Sequence, residues 1–240
     1  MNPVNLNAYI NLSCGTDDDE FPQADKLILL NIYKDDIAKE IVKRNEDYFG
    51  MVFTRNLVAD QREYGLPENI LNNLKFTEAK IDGTNWKRLD EFDLNQYKRP
   101  TNEDEITSQF AGKNPGFDIF RNSLWIYSEE SIIDVSGGLK LWAITYPADI
   151  EDLTSTIDMS IDPVDGEGNI YSSGFPRQFH ELLGRRVTIH WKGSQDRPVS
   201  LNEKELSYEM DLEKALDAIT GMNLDRSVVG SVTKDDGQDY

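Results

Sequence analysis

The 240-residue chain carries 44 acidic against 25 basic side chains, a formal net charge of -19, with 38% hydrophobic and 29% charged residues. No apolar run approaches the ~18 residues of a membrane-crossing helix, and a single cysteine, Cys14, excludes an internal disulfide and any multi-cysteine zinc site. The charge argues against a nucleic-acid reader, because phosphate binding needs clustered Lys and Arg.

The opening MNPVNLNAY has neither a basic start nor a long apolar stretch, so a cytosol-like compartment is expected. Residues 4–12 alternate as a strand would, yet Leu6, Tyr9 and Ile10 fit one helix face, and the spacing is read as a helix. GTDDDE at 15–20 lacks the spaced oxygens of an EF-hand loop and is read as acidic capping for the next helix. From Pro22 to Tyr48, Leu27, Leu30, Ile37, Ala38, Ile41 and Tyr48 recur at helical spacing, with Pro22 as start signal and Gly50 as stop.

Thr54–Leu71 reads as two brief strands joined by a tight loop, with Pro67 ending the second strand and opening a helical turn. Residues 74–94 read as a second hairpin whose Asp82-Gly83 suits a two-residue turn. Residues 95–117 are a long polar loop or short helix, expected to be an interaction loop. Phe120–Ser128 and Gly138–Pro147 are two further strands, with Gly137-Gly138 in their connection, for about six strands in all. Residues 148–174 are acidic and irregular. Asp162, Asp165, Glu167 and Asn169 do not have calcium-loop spacing, so no metal is expected there.

FPRQFHELLGRRVTIHW places Phe179, Leu182, Leu183, Val187 and Trp191 on one helix face, and Ser200 with Glu203 forms a capping box for a last helix to Ile219. His180 and His190 sit in no catalytic pattern, Cys14 reads as packing, and no enzyme, cofactor or metal is expected. The fold class expected is α+β: a small helical bundle with a mainly antiparallel β-hairpin sheet. One domain spans 1–220, with helices 22–48, 176–191 and 200–220 and strands between 54 and 147. Gly221 closes the last helix, and 221–240 is an extended C-terminal arm with small apolar spots, unable to order alone.

Two groups of residues carry a resemblance. Val58, Ala59, Gln61, Tyr64, Leu66 and Pro67, in the pattern V-A-x-Q-x-x-Y-x-L-P after a long helix, and Pro176, Phe179 and His180 at a later helix start, resemble the head-tail adaptor (connector or neck ring) proteins of tailed bacteriophages. The order between them, a hairpin with an Asp-Gly turn and a strand ending in Tyr-Pro, is similar over roughly residues 20–220. The resemblance implies a structural virion subunit, made in the host cytoplasm and placed at the head-tail junction. It implies a self-associated ring of about twelve copies, joining the portal protein to tail or nozzle proteins. DNA would pass through its channel without specific binding, along a wall that repels like charge. On this reading Leu224, Arg226, Val228, Val229 and Tyr240 of the arm dock on the portal or a neighbour. A stopper or tail terminator ring is the near alternative. A carbohydrate-binding β module is the alternative of another class, told apart by whether Trp125 and Trp142 lie in the core, where their alternation places them.

Overall fold

A computed structural model describes residues 1–67, 69–92, 102–164, 170–195 and 201–229. Along the chain run α1 (Pro3–Cys14), α2 (Gln23–Arg44), β1 (Gly50–Leu57), β2 (Glu63–Gly65), β3 (Ile70–Ala79), β4 (Lys87–Glu91) and α3 (Glu103–Gln109). There follow β5 (Gly116–Phe120), β6 (Ser123–Tyr127), β7 (Val135–Thr145), a 3-10 turn (Arg177–Phe179), α4 (His180–Ser194) and α5 (Leu201–Val229). The class is α+β with a mixed sheet. Where the sequence suggests one domain over 1–220, the chain divides into two compact units: residues 1–48 with 147–240, and residues 49–146 between them.

The first unit is helical. In α1, Asn2 caps the start by accepting the Asn5 N–H at 2.9 Å, and Gly15, at φ 69°, closes the end. Leu6, Ile10 and Cys14 are buried at four-residue spacing, which settles helix over strand for this segment. The buried stripe of α2 includes two lysines, Lys26 and Lys34, among Leu30, Ile37, Ala38 and Ile41. Their stems lie in the core while their ammonium groups are fully engaged. Lys26 reaches Asn11 and Asp18 in the α1–α2 turn, and Lys34 donates to the carbonyls of Pro147 and Ala148 at 3.0 Å and to Asp149. Hydrogen bonds from Asn11, Lys26 and Gln23 hold the Asp18 carboxyl well below the usual range. The helix ends at Arg44 through an Asn45 turn, and Gly50 opens β1 instead of stopping the helix.

α4 packs on α1 at Gly184, where an added Cβ would lie 2.8 Å from Tyr9 Cδ1 and 2.9 Å from Leu6 Cδ1. α5 packs on the bundle through Tyr208, Leu216 and Ile219, flanked by ion pairs Arg185–Asp211, Arg186–Glu205 and Arg44–Glu213. It does not stop at Gly221 but runs to Val229. One glycine costs a helix about 1 kcal/mol, which a long helix absorbs.

The second unit is a seven-stranded sheet in the order β1-β7-β3-β4-β5-β6-β2, antiparallel except for β4–β5. Its inner face buries Leu57, Tyr64, Ala79, Leu89, Phe117, Leu124, Ile126, Leu139 and Leu141. A smaller cluster of Ile106, Phe110 and Tyr127 seats α3. The chain enters and leaves this unit side by side: Gly50 pairs with Ile144, and the Phe49 carbonyl accepts the Thr145 N–H at 3.1 Å.

Several expected pairings differ. β1 and β2 form no hairpin with each other; β1 pairs with β7 and β2 with β6. Pro67 opens no helical turn, because Ile70 already pairs with Thr145 at the start of β3 and the Tyr146 N–H bonds to the Asn69 carbonyl at 2.8 Å. Ladder bonds there outweigh proline's local fitness for a helix start. The β3–β4 hairpin forms, but its connection runs from Ala79 to Lys87 instead of two residues. Asp82 organises it by accepting the Thr84 and Asn85 N–H groups at 3.0 and 2.8 Å, and Gly83 takes φ 79°. Gly137 and Gly138 lie inside β7 at the register shift opposite Arg55–Leu57, where the Gly137 N–H bonds to Asn56 Oδ1 at 2.7 Å. The described residues form seven strands; β5, joined to β6 by the Arg121-Asn122 turn, is the addition. Of the expected loop at 95–117, residues 102–117 contain α3 and the start of β5, and 95–101 lie outside the described residues.

Candidate functional site

The residues of the first motif all serve one connection. Tyr64 is buried; its hydroxyl donates to the Gln61 carbonyl at 2.8 Å and accepts the Val58 N–H at 3.2 Å. Burial raises its pKa above the ordinary tyrosine value. The Ala59 N–H bonds to Asp134 Oδ1 at 2.9 Å, and Gln61 Nε2 to the Glu63 carbonyl at 2.7 Å. Leu66 packs against the sheet core and Pro67 is half-buried. Sequence reasoning missed Arg62 at the centre of this loop. Buried to 5% exposure, Arg62 pairs with both oxygens of Glu103 on α3 and donates to Ser128 Oγ at 3.0 Å and the Ile126 carbonyl at 3.3 Å. Those guanidinium hydrogen bonds hold the Glu103 carboxyl below its usual range. The strand parity that turns Tyr64 inward also turns Arg62 inward, and that was the available signal.

The second motif is equally structural. Pro176 precedes the 3-10 turn, while Phe179 and His180 are buried beneath it. His180 Nε2 bonds to the Phe175 carbonyl at 2.7 Å, and its Nδ1 lies 2.7 Å from the Met1 amino group, which also meets Asp158 at 3.2 Å. Burial lowers the His180 pKa, and both ring nitrogens are engaged, one by a backbone carbonyl and one by the terminal amino group. Of the arm residues, Leu224, Arg226, Val228 and Val229 fall within α5, and Tyr240 lies outside the described residues. Ser200 of the expected capping box is also outside them.

Two surfaces stand out among the described residues. In the helical unit, the 148–175 segment borders a cleft of about 390 Å³ lined by Pro3, Lys34, Asp149, Ile157, Ile161 and Phe175. Ile157, Ile161, Val164, Ile170 and Tyr171 of that segment are exposed, a concentration of apolar side chains that a soluble surface rarely leaves uncovered. Asp162 here accepts the Gly174 N–H at 2.8 Å, and residues 165–169 lie outside the described residues. Among the described residues, no group of three or more His, Cys, Asp or Glu is placed to hold a metal ion.

In the sheet unit, the outer face carries a ladder of rings and cations. Trp142 stacks on Phe76 with centroids 4.0 Å apart, and Arg88 lies over Phe76 at 5.5 Å. Lys140 lies 4.1 Å from the Trp86 ring and 5.8 Å from Trp142, while Lys80 lies 4.9 Å from Trp86. Strand pairing sets Val52, Trp142 and Phe76 in one row and Thr54, Lys140, Glu78 and Arg88 in the next. Trp142 is thus half-buried instead of lying in the core, because Leu139, Leu141 and Ala143 take the inward positions of β7; Trp125 of β6 is also half-buried, packed against the Ile106, Phe110 and Tyr127 cluster.

No protein-family model matches this chain, and no curated protein matches it.

Proposed function

We propose that this chain is a structural virion subunit, a head-tail adaptor that forms a ring between the portal at the capsid vertex and the tail, extends the DNA channel and performs no chemistry. The observation that carries the reading is that every described motif residue has a packing or loop-closing task. Val58 to Pro67 close one connection and Pro176 to His180 build one helix start, so the motifs mark an architecture and not a reaction centre. The uncovered apolar side chains Ile157, Ile161, Val164, Ile170 and Tyr171 support an assembled state, since such surface is normally covered by a partner. The acid surplus also fits the reading. The helical unit has 29 acidic against 14 basic residues, whereas the sheet unit has 15 against 11, so a channel wall built from the helical unit would repel DNA.

A carbohydrate-binding module is less well supported. The rings of the outer face are half-buried, Trp142 stacked on Phe76 and Trp86 approached by two lysines, which leaves no open flat ring for a sugar to stack on. The deciding experiment mixes the purified chain with portal rings from the same virion and follows co-sedimentation and negative-stain images. The expected result is a ring seated on the portal. Absence of binding, with virions that retain full tails when the chain is deleted, would refute the reading.

A further inference from the structure

We propose that the outer face of the sheet is a contact for a second copy of this chain, and that it receives the outer stripe of α5 from that copy. The proposal rests on the adaptor reading only in that a ring needs some contact between copies.

The outer sheet face gathers three cations, Lys80, Arg88 and Lys140, and three aromatic rings, with Glu78 and the exposed Asp90 as the carboxylates on the same side of β3 and β4. Among the described residues, no carboxylate forms an ion pair with Lys80, Arg88 or Lys140, although Glu78 lies between Lys140 and Arg88 in the strand register. Lys80, Arg88 and Lys140 lie over the half-buried Trp86, Phe76 and Trp142, so three positive charges are presented together with the apolar stems of these side chains and the part of the rings they leave exposed.

The outer stripe of α5 is the converse. Leu206 and Met210 are 59% and 54% exposed at four-residue spacing, an apolar pair that the bundle does not cover. Glu203 and Glu209 flank them, exposed and without an ion pair among the described residues, whereas Glu205, Asp211 and Glu213 are already engaged by arginines. Apolar pair meets aromatic floor, and free acids meet free bases. Two different faces join in this contact, so it is heterologous, and repetition closes a ring or extends a filament.

Single-stranded nucleic acid is the other occupant that rings and cations could attract. The sheet disfavours it, because Glu78 sits among the bases and would face the phosphates, and Lys80 and Lys140 already cover Trp86.

The test uses the full chain in sedimentation velocity over concentration and salt. Wild type should self-associate, more weakly as salt rises. The double variants R88E/K140E and E203K/E209K, checked for folding by circular dichroism and tryptophan fluorescence, should each associate at least about tenfold more weakly, a loss of about 1.4 kcal/mol. Their equimolar mixture should regain association, because each altered face then meets a complementary one. Undiminished association of both variants would overturn the proposal. So would a mixture that fails to associate, or wild type that stays monomeric up to about 1 mM. Tight binding of a fluorescent oligothymidylate by wild type, lost in R88E/K140E while association is unchanged, would assign the face to nucleic acid instead. Portal co-sedimentation is scored separately. Portal binding without this self-contact would refute only the contact, and self-contact without portal binding would refute only the adaptor reading.

Discussion

Tyr64 offers the most direct measurement of what the motif loop contributes. The ring is 4% exposed in the sheet core, while its hydroxyl reaches out to the Gln61 carbonyl and the Val58 N–H, both on exposed residues. Tyr64→Phe keeps the ring and deletes both hydrogen bonds. Water can replace the hydroxyl at these exposed residues, so the loss should be about 1 kcal/mol. Tyr64→Ala also empties the ring's place among Leu57, Leu124 and Leu139, for a total loss of about 3 to 5 kcal/mol. The assay is urea titration followed by tryptophan fluorescence, which reports mainly on the sheet unit because Trp86, Trp125 and Trp142 lie there and only Trp191 does not. With a slope of about 1 to 1.5 kcal/mol/M for a unit of about 100 residues, Tyr64→Ala should lower the midpoint by about 3 M and Tyr64→Phe by under about 1 M. Equal shifts for the two variants would show that the hydroxyl network, and not the buried ring, holds the loop, and would refute the reasoning.

Pro67→Ala should cost only about 0.4 to 1 kcal/mol in the same titration, through greater freedom of the unfolded chain. Gly184→Ala should destabilise the helical unit by about 1 to 3 kcal/mol, despite alanine's higher helix propensity, because its methyl would press on Tyr9 and Leu6; thermal unfolding read by circular dichroism at 222 nm checks this. Glu103 is depressed chiefly by its hydrogen bonds to Arg62, so its contribution is fully present above its unfolded pKa of about 4.3 and is lost as pH falls through the lower folded value. Wild type should therefore lose more stability than Glu103→Gln between about pH 5 and pH 3, and parallel pH profiles would contradict the pairing.

The helices were legible because their apolar spacing is local. Leu6, Ile10 and Cys14 in α1, and Phe179, Leu183 and Val187 at the start of α4, declare a buried face without help from the rest of the chain. Lys26 and Lys34 are the exception, occupying the same four-residue stripe as Leu30 although charge alone would put them on the wet side. Strand positions other than β5 were legible and strand partners were not. β7 lies between β1 and β3, partners far away in sequence, and no local pattern names them. The same gap hid the outer face. Phe76, Trp86 and Trp142 come together only through pairing and a loop, and alternation within β7 alone suggested core for Trp142.

The side-by-side passage of the chain at Phe49 and Thr145 bears on the order of folding. The helical unit is built from two segments separated by about 100 residues, and bringing such distant ends together costs about 4 kcal/mol of chain entropy on the logarithmic scaling of loop closure. Once β1 and β7 have paired, the span between the two segments is effectively a few residues, and about 3 kcal/mol of that cost is already met within the sheet. The inserted unit thus acts as a clasp that delivers the two halves of the helical unit to each other. Pulse-labelled hydrogen exchange during refolding should find the β1 and β7 amides protected before those of α1, and the reverse order would show that the helices gather without the clasp.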